Sequence, residues 1–129
     1  MDREYLQKEL EKRKLEKAKH YTEEEQDHVS KLMLLSFYDE RGLDELYSIC
    51  MEELAELTQQ ISKVLRCKIG YNDIGLLEEL GDVELSLHTL MMHLKTNKED
   101  LQYIKDIKLD REKEAHKNLE KKLEIRGLI

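Results

Sequence analysis

The chain has 129 residues, of which 40% are charged and 5% aromatic, and it contains neither tryptophan nor proline. This length suffices for one domain with an ordinary core, and the lack of proline favours long helices over strands and turns. The formal net charge of −7 argues against nonspecific nucleic-acid binding. No apolar run approaches the roughly 20 residues that cross a bilayer, and no signal-peptide pattern opens the chain, so we expect a cytoplasmic protein that does not bind membranes.

Hydrophobic spacing and capping patterns predict five helices. In chain order they cover residues 3–19, 23–38, 43–66, 75–95 and 99–123. The first is a charged helix whose thin apolar line docks on another surface or frays. The second begins with a capping-box pattern, Thr22 followed by Glu25. Its inward-facing residues are expected to be Val29, Leu32, Leu35 and Phe37.

The third and fourth helices each carry a broad apolar stripe, and the short connection between them makes them antiparallel neighbours. The first stripe consists of Leu46, Ile49, Cys50, Leu54, Leu57, Ile61 and Val64. The second consists of Leu76, Leu80, Val83, Leu87, Leu90, Met91 and Leu94. Further apolar residues on the far sides, such as Met51 and Leu85, favour subunit contacts over scattered surface hydrophobes. We therefore expect an all-α helical bundle that is completed by oligomerisation, as a homodimer or homotetramer.

Two carboxylate pairs lie on these central helices, and neither has a basic residue at helical contact distance. The pairs are Glu53 with Glu56 and Glu79 with Asp82. A carboxylate on a helix surface is commonly matched by a cation three or four residues away, and these four acids have none at that spacing. If the pairs meet, two unit charges about 5 Å apart repel by roughly 3 kcal/mol at an effective dielectric near 20.

Two interpretations of these acids follow from the pattern. Four carboxylates that meet between the helices would suit Mg²⁺ or Mn²⁺, which prefer oxygen ligands. The position of Glu53 inside the apolar stripe supports this interpretation, because a buried carboxylate without a partner is costly. The alternative is a solvated acidic surface, which is the common environment of glutamate on helices.

The two acidic motifs, Glu52-Glu53-x-x-Glu56 and Glu79-x-x-Asp82, stand on consecutive predicted helices. They resemble the EExxE…ExxD signature of the all-α nucleoside triphosphate pyrophosphohydrolases. These are the MazG-like proteins, which are related to dimeric dUTPases and phosphoribosyl-ATP pyrophosphohydrolases. The resemblance implies a helical core built from two or more subunits, with the metal site on the antiparallel central helices.

The resemblance covers only part of the chain. It is close over residues 43–94 and loose over residues 101–123, and it does not explain the first 42 residues. We therefore divide the chain into an N-terminal charged helical extension, residues 1–42, and a MazG-like domain, residues 43–129.

The resemblance also implies an activity, which is Mg²⁺-dependent hydrolysis of a nucleoside triphosphate to the monophosphate and pyrophosphate. Its metal ligands would be Glu53, Glu56, Glu79 and Asp82, and Glu52 would orient or deprotonate the attacking water. Such an enzyme serves nucleotide pool control or house-cleaning. A narrower dUTP, dCTP or phosphoribosyl-ATP pyrophosphohydrolase is one alternative. A non-catalytic helical interaction module, with solvated acids, is the other.

Basic residues are expected to hold the phosphates of the substrate. The candidates are Lys63, Arg66 and Lys68 near the end of the third helix, and Lys108 and Arg111 in the last. The spacing Lys108-x-x-Arg111 resembles an element of many MazG-like proteins, although Glu112 stands where those relatives often have asparagine. Cations near a helix C-terminus are also favoured by the helix dipole alone, which is the competing interpretation for the first three.

Overall fold

The computed structural model describes residues 2–13, 19–67 and 74–129, apart from the side chain of Cys67. Within these residues the chain forms six α-helices and no strand, which confirms the all-α class. The helices are α1 Arg3–Lys12, α2 Glu23–Ser36, α3 Leu43–Cys67, α4 Ile74–His93, α5 Lys98–Ala115 and α6 Lys117–Ile125. None of these described helices combines the length and the apolar character needed to cross a bilayer.

The start and end of α2 follow from local chemistry. Thr22 and Glu25 form the expected capping box, in which each side chain accepts a hydrogen bond from the other residue's backbone N–H, both at 3.2 Å. At its other end α2 continues into a π-helical turn, Phe37–Arg41. Gly42 then ends the turn with a φ of 86°, a left-handed conformation that glycine adopts at little cost. This sharp end lets α3 begin at the next residue.

The prediction of one last helix over residues 99–123 is wrong, because the helix is interrupted at His116. There the backbone leaves helical geometry, with φ −106° and ψ 14°, and α6 begins at the following residue. The His116 ring nitrogen Nδ1 lies 2.7 Å from the carbonyl oxygen of Glu112, one turn earlier. The His116 backbone N–H still donates to the same carbonyl at 3.0 Å, so the side chain shares this acceptor with the helical hydrogen bond, and such sharing favours a distortion at this position.

The core of the N-terminal part lies between α2, α3 and α4. Its buried residues include Leu34, Phe37, Leu46 and Cys50, against which Ile49, Leu90 and Met92 pack. Phe37 thus faces inward as predicted, but the prediction for Val29, Leu32 and Leu35 is wrong, because all three are exposed. The buried face of α2 instead contains Ser30 and Leu34, which share one side of the helix with Phe37 at spacings of four and three residues.

Two polar contacts also join the N-terminal elements to α4. His88 Nε2 lies 2.8 Å from Asp27 Oδ1 on α2, and its ring is mostly shielded from solvent. Further along α4, His93 Nδ1 lies 2.8 Å from the Tyr38 hydroxyl, and the His93 ring meets the ring of Tyr47 edge-on. These contacts fix α2 and the π-helical turn along the side of α4.

The helices fall into two compact units, Met1–Leu94 and Lys95–Ile129. In the first unit α3 packs against α4, and both α1 and α2 also contact α4. In the second unit α5 contacts α6. Within the first unit, α1 and α2, which belong to the predicted extension, therefore pack against the helices that carry the acidic motifs. The domain boundary after residue 42 stays a prediction.

Candidate metal centre

The two acidic motifs face each other because α3 and α4 are antiparallel. The Cys50 thiol donates a hydrogen bond to the Ser86 carbonyl at 3.6 Å, and this contact fixes the register of the two helices. One turn further along α3 lies Glu53, and about two turns back along α4 from Ser86 lies Glu79. Later residues of α3 therefore lie opposite earlier residues of α4.

Three carboxylates meet at this crossing. Glu53, Glu56 and Glu79 each contribute one oxygen to a group in which all atoms lie within 4.8 Å of one another. Glu53 and Glu79 are partly buried, whereas Glu56 is exposed and leaves the group open to solvent on one side. Two helices therefore present three hard oxygen donors to one small volume.

Two of the three residues also have a carboxylate oxygen that is buried without any hydrogen-bond partner. These oxygens are Glu53 Oε2 and Glu79 Oε2. A buried polar atom left without a partner costs about 1–3 kcal/mol, and more when it is charged. The protein itself therefore leaves these two oxygens unsatisfied, and carboxylate oxygens fit the ligand preference of Mg²⁺ and Mn²⁺.

The titration behaviour of the acids points in the same direction. Burial raises the pKa of Glu53, and the nearby charges of Asp82, Glu56 and Glu52 raise it further. Burial also raises the pKa of Glu79, followed by the charges of Glu56 and Asp82. The pKa of Asp82 is raised by burial and then by Glu56 and Glu78. Each shift reflects burial first and neighbouring negative charge second, and a bound divalent cation would act in the opposite direction.

The structure thus brings together three of the four predicted ligands. Asp82 is exposed and lies outside the group of three, although its charge acts on Glu53. Glu52, the predicted water-handling residue, is exposed on α3 and likewise outside the group. It lies next to Glu53 in the chain, and its charge contributes to the raised pKa of Glu53.

The predicted phosphate-binding cations come from different parts of the chain. Lys63 and Arg66 are exposed near the end of α3, and Arg66 Nε donates a hydrogen bond to the Ser62 carbonyl at 3.4 Å. Lys68 lies outside the described residues. Lys108 and Arg111 are exposed on α5, in the second compact unit. Phosphate contacts by these five residues stay predictions.

Sequence reasoning missed one ion pair beside the carboxylates. Arg13, directly after α1, places Nη1 3.0 Å from Glu78 Oε1 on α4. This Glu78 oxygen is buried and the contact lacks hydrogen-bond geometry, so the two groups interact chiefly as charges. The pair of adjacent acids, Glu78 and Glu79, was visible in the sequence, but nothing in the pattern singled out Arg13 as a partner.

Comparison with known proteins adds no relative: no family model, no curated protein and no solved structure matches this chain. The resemblance to the MazG-like proteins therefore rests on the two acidic motifs and the sequence around them. The geometry adds that the motifs lie on antiparallel helices and that three of their carboxylates converge.

Proposed function

We propose that this protein hydrolyses a nucleoside triphosphate to the monophosphate and pyrophosphate, using Mg²⁺ or Mn²⁺ held between α3 and α4. The observation that carries the proposal is the convergence of Glu53, Glu56 and Glu79, of which Glu53 and Glu79 each have a buried oxygen without a hydrogen-bond partner. These three residues would hold the ion, and Asp82 would supply a further oxygen from the rim. The reaction itself is inferred from the EExxE…ExxD resemblance.

The proposed reaction is the attack of water on the α-phosphorus. The water oxygen bonds to that phosphorus, the anhydride bond between the α and β phosphates breaks, and pyrophosphate leaves with the bonding electrons. Glu52 would take the proton of the water, as the resemblance implies, since it is exposed, lies outside the group of three ligands and acts by its charge on Glu53. A divalent cation supplies charge neutralisation on the phosphate oxygens and a lowered pKa of bound water.

The triphosphate also needs positive charge beyond the ion. Lys63 and Arg66 near the end of α3, with Lys68 after it, are the proposed partners within residues 43–94. Lys108 and Arg111 are the proposed partners from the last part of the chain. Because a guanidinium offers two parallel donors to a phosphate, each arginine is expected to contribute more than a single lysine.

A second copy of the chain is the proposed partner of the central helices. Several residues that the sequence predicts to be core are exposed in one chain: Leu54 by 44%, Ile61 by 46%, Leu80 by 44% and Leu87 by 38%. Met51 and Leu85, on the far sides, are exposed as well. Apolar surface on two neighbouring helices favours burial against another subunit, and a homodimer or homotetramer would supply it.

A panel of nucleotides tests the activity. The protein is incubated with canonical and noncanonical nucleoside triphosphates and phosphoribosyl-ATP in Mg²⁺, and pyrophosphate is distinguished from orthophosphate by adding inorganic pyrophosphatase. We expect pyrophosphate and the monophosphate as products, and a loss of turnover in Glu53→Gln. Glu84→Gln, which removes an exposed acid of α4 outside the carboxylate group, is the matched control and should remain active.

The same panel separates the alternatives. Turnover of many nucleotides supports a house-cleaning or pool-control enzyme, whereas turnover of dUTP, dCTP or phosphoribosyl-ATP alone identifies a narrower enzyme. Absence of pyrophosphate from every substrate, in protein that is folded and supplied with metal, would favour the helical interaction module and contradict the proposed activity.

A further inference from the structure

The ion pair between Arg13 and Glu78 connects the end of α1 to the part of α4 that carries the carboxylates. Its two charged atoms are 3.0 Å apart, and the Glu78 oxygen is buried. Glu78 directly precedes Glu79 and lies four residues before Asp82, one helical turn away. The pair therefore places a positive charge beside the acidic group, although Arg13 comes from a part of the chain that the acidic motifs do not include.

The charge balance around Glu78 gives this contact its importance. All of α4 and most of α3 lack lysine and arginine, since residues 44–62 and 69–94 contain neither. Glu78 thus has no cation on its own helix to neutralise it. Among the ion pairs of the described residues, the pair with Arg13 is the one that joins a cation to an acid adjoining the carboxylate group.

We propose that Arg13 is a positioning residue of the metal centre, which sets its affinity for Mg²⁺ by neutralising Glu78. The inference rests on the metal site of the proposed function. Arg13 acts through Glu78, with which it forms the ion pair, and the charge of Glu78 acts on Asp82 one helical turn further along α4. When the pair is formed, Mg²⁺ would be attracted only by the carboxylate charges of the site itself. Without Arg13, it also meets the uncompensated charge of Glu78.

This role has a direction that loss of structure does not produce. An added negative charge attracts a divalent cation, so removal of Arg13 should tighten Mg²⁺ binding while it destabilises the metal-free protein. The same charge repels a triphosphate, so KM for the nucleotide should rise. A substitution that only loosened α1 would weaken Mg²⁺ binding or leave it unchanged.

The test compares Mg²⁺ affinity by isothermal titration calorimetry in four variants of the full chain. Arg13→Gln should bind Mg²⁺ about threefold to tenfold more tightly than wild type at low salt, because a unit charge nearby is only partly screened. Glu78→Gln should bind more weakly by a similar factor. The double variant restores the charge balance and should bind like wild type. Arg3→Gln removes the same charge from the far end of α1, about 15 Å away along the helix, and should change nothing.

Three further controls separate charge from packing. Helical circular dichroism checks that each variant folds. If Arg13→Gln does not fold, the Mg²⁺ affinity of Glu78→Gln still tests the effect of the charge. At high salt the difference between Arg13→Gln and wild type should shrink, because an interaction through charge is screened. Arg13→Lys should restore most of the wild-type affinity, since it keeps the charge.

The outcomes distinguish this inference from the proposed function. If wild type binds Mg²⁺ but Arg13→Gln has equal or weaker affinity, Arg13 has no such role and the metal centre stands. If wild type binds neither Mg²⁺ nor Mn²⁺, the metal centre itself is wrong, and the role of Arg13 is rejected together with it.

Discussion

The carboxyl groups of Glu53 on α3 and Glu79 on α4 come within 4.8 Å of each other, and each keeps one buried oxygen without a hydrogen-bond partner. The two residues are 26 positions apart in the chain, so helix packing alone brings them together. Two like charges at this separation oppose folding unless a proton or a cation intervenes. The stability of the protein should therefore depend on pH and on divalent metal.

The first prediction concerns pH in the presence of a chelator. Because the pKa of Glu53 is raised above its ordinary value of 4.5 in the folded chain, the folded state binds more protons than the unfolded state between the two values. Stability contributed by this group is thus lost as the pH rises through the folded pKa. We expect Glu53→Gln to melt at a higher temperature than wild type at neutral pH, and the difference to vanish as the pH falls to the ordinary pKa of the acid.

Thermal melting of both proteins across this pH range provides the measurement, with Glu84→Gln as the control. A pH-independent difference between Glu53→Gln and wild type would mean that the substitution acts through packing and not through charge.

The second prediction concerns metal. Mg²⁺ should raise the melting temperature of wild type at neutral pH, because a ligand that binds only the folded state stabilises it by about 2.7 kcal/mol at a hundredfold excess over Kd. Glu79→Gln should lose most of this response, whereas Glu84→Gln should keep it. Differential scanning fluorimetry over a series of Mg²⁺ concentrations checks both. An equal response in all three proteins would place Mg²⁺ binding elsewhere on the chain.

The third prediction concerns the exposed apolar surface of the central helices. Leu80→Lys places a charge on this surface and should shift the protein from oligomer to monomer. Leu109→Lys makes the same change on exposed α5 and serves as the control. Sedimentation equilibrium measures the mass of each. Wild type that sediments as a monomer at micromolar concentration would count against the proposed assembly.

The fourth prediction concerns the core. Leu46 is 1% exposed and packs with Phe37 and Cys50. Leu46→Ala should lower the free energy of unfolding by about 2 to 5 kcal/mol, because it removes buried surface and leaves a cavity. Leu109→Ala, at an exposed site, should change it by no more than about 0.5 kcal/mol. Urea denaturation followed by circular dichroism compares them, and similar losses in both variants would be inconsistent with this core.

The fifth prediction concerns the contact between the Tyr38 hydroxyl and His93. Tyr38→Phe keeps the ring packing but removes the hydrogen bond of 2.8 Å, and it should cost about 0.5 kcal/mol, at the lower end of the range for such bonds because the site is partly solvated. Tyr103→Phe, in a solvent-exposed tyrosine of α5, is the control and should be neutral. Urea titrations measure the free energy of unfolding of both variants. An unchanged value in Tyr38→Phe would show that water replaces the bond.

Much of the local structure could be predicted from the sequence. Capping chemistry located the start of α2 at Thr22 and Glu25, and the apolar stripes of α3 and α4 indicated two long central helices. These features depend on residues only three or four positions apart. The break at His116 was missed because it accompanies a local contact of one side chain with a neighbouring carbonyl, which leaves no trace in hydrophobic periodicity.

The burial of α2 shows where such spacing is insufficient. Leu32 and Leu35 are as apolar as Leu34, yet only Leu34 is buried, because α3 and α4 pack on the side of α2 that also carries Ser30. Composition cannot choose between two apolar sides of one helix. The partner surface makes that choice, and part of the partner surface is absent from a single chain if the proposed assembly is correct.

The sequence by itself determined the helical class, the two acidic motifs and their lack of nearby cations, because all three depend on composition and on contacts within one helical turn. Only the tertiary structure decided that Glu53, Glu56 and Glu79 converge while Asp82 stays at the rim. It also decided that Arg13 meets Glu78 across 65 positions of chain. Both results depend on the register and rotation of packed helices, which are set by long-range contacts that no local spacing encodes.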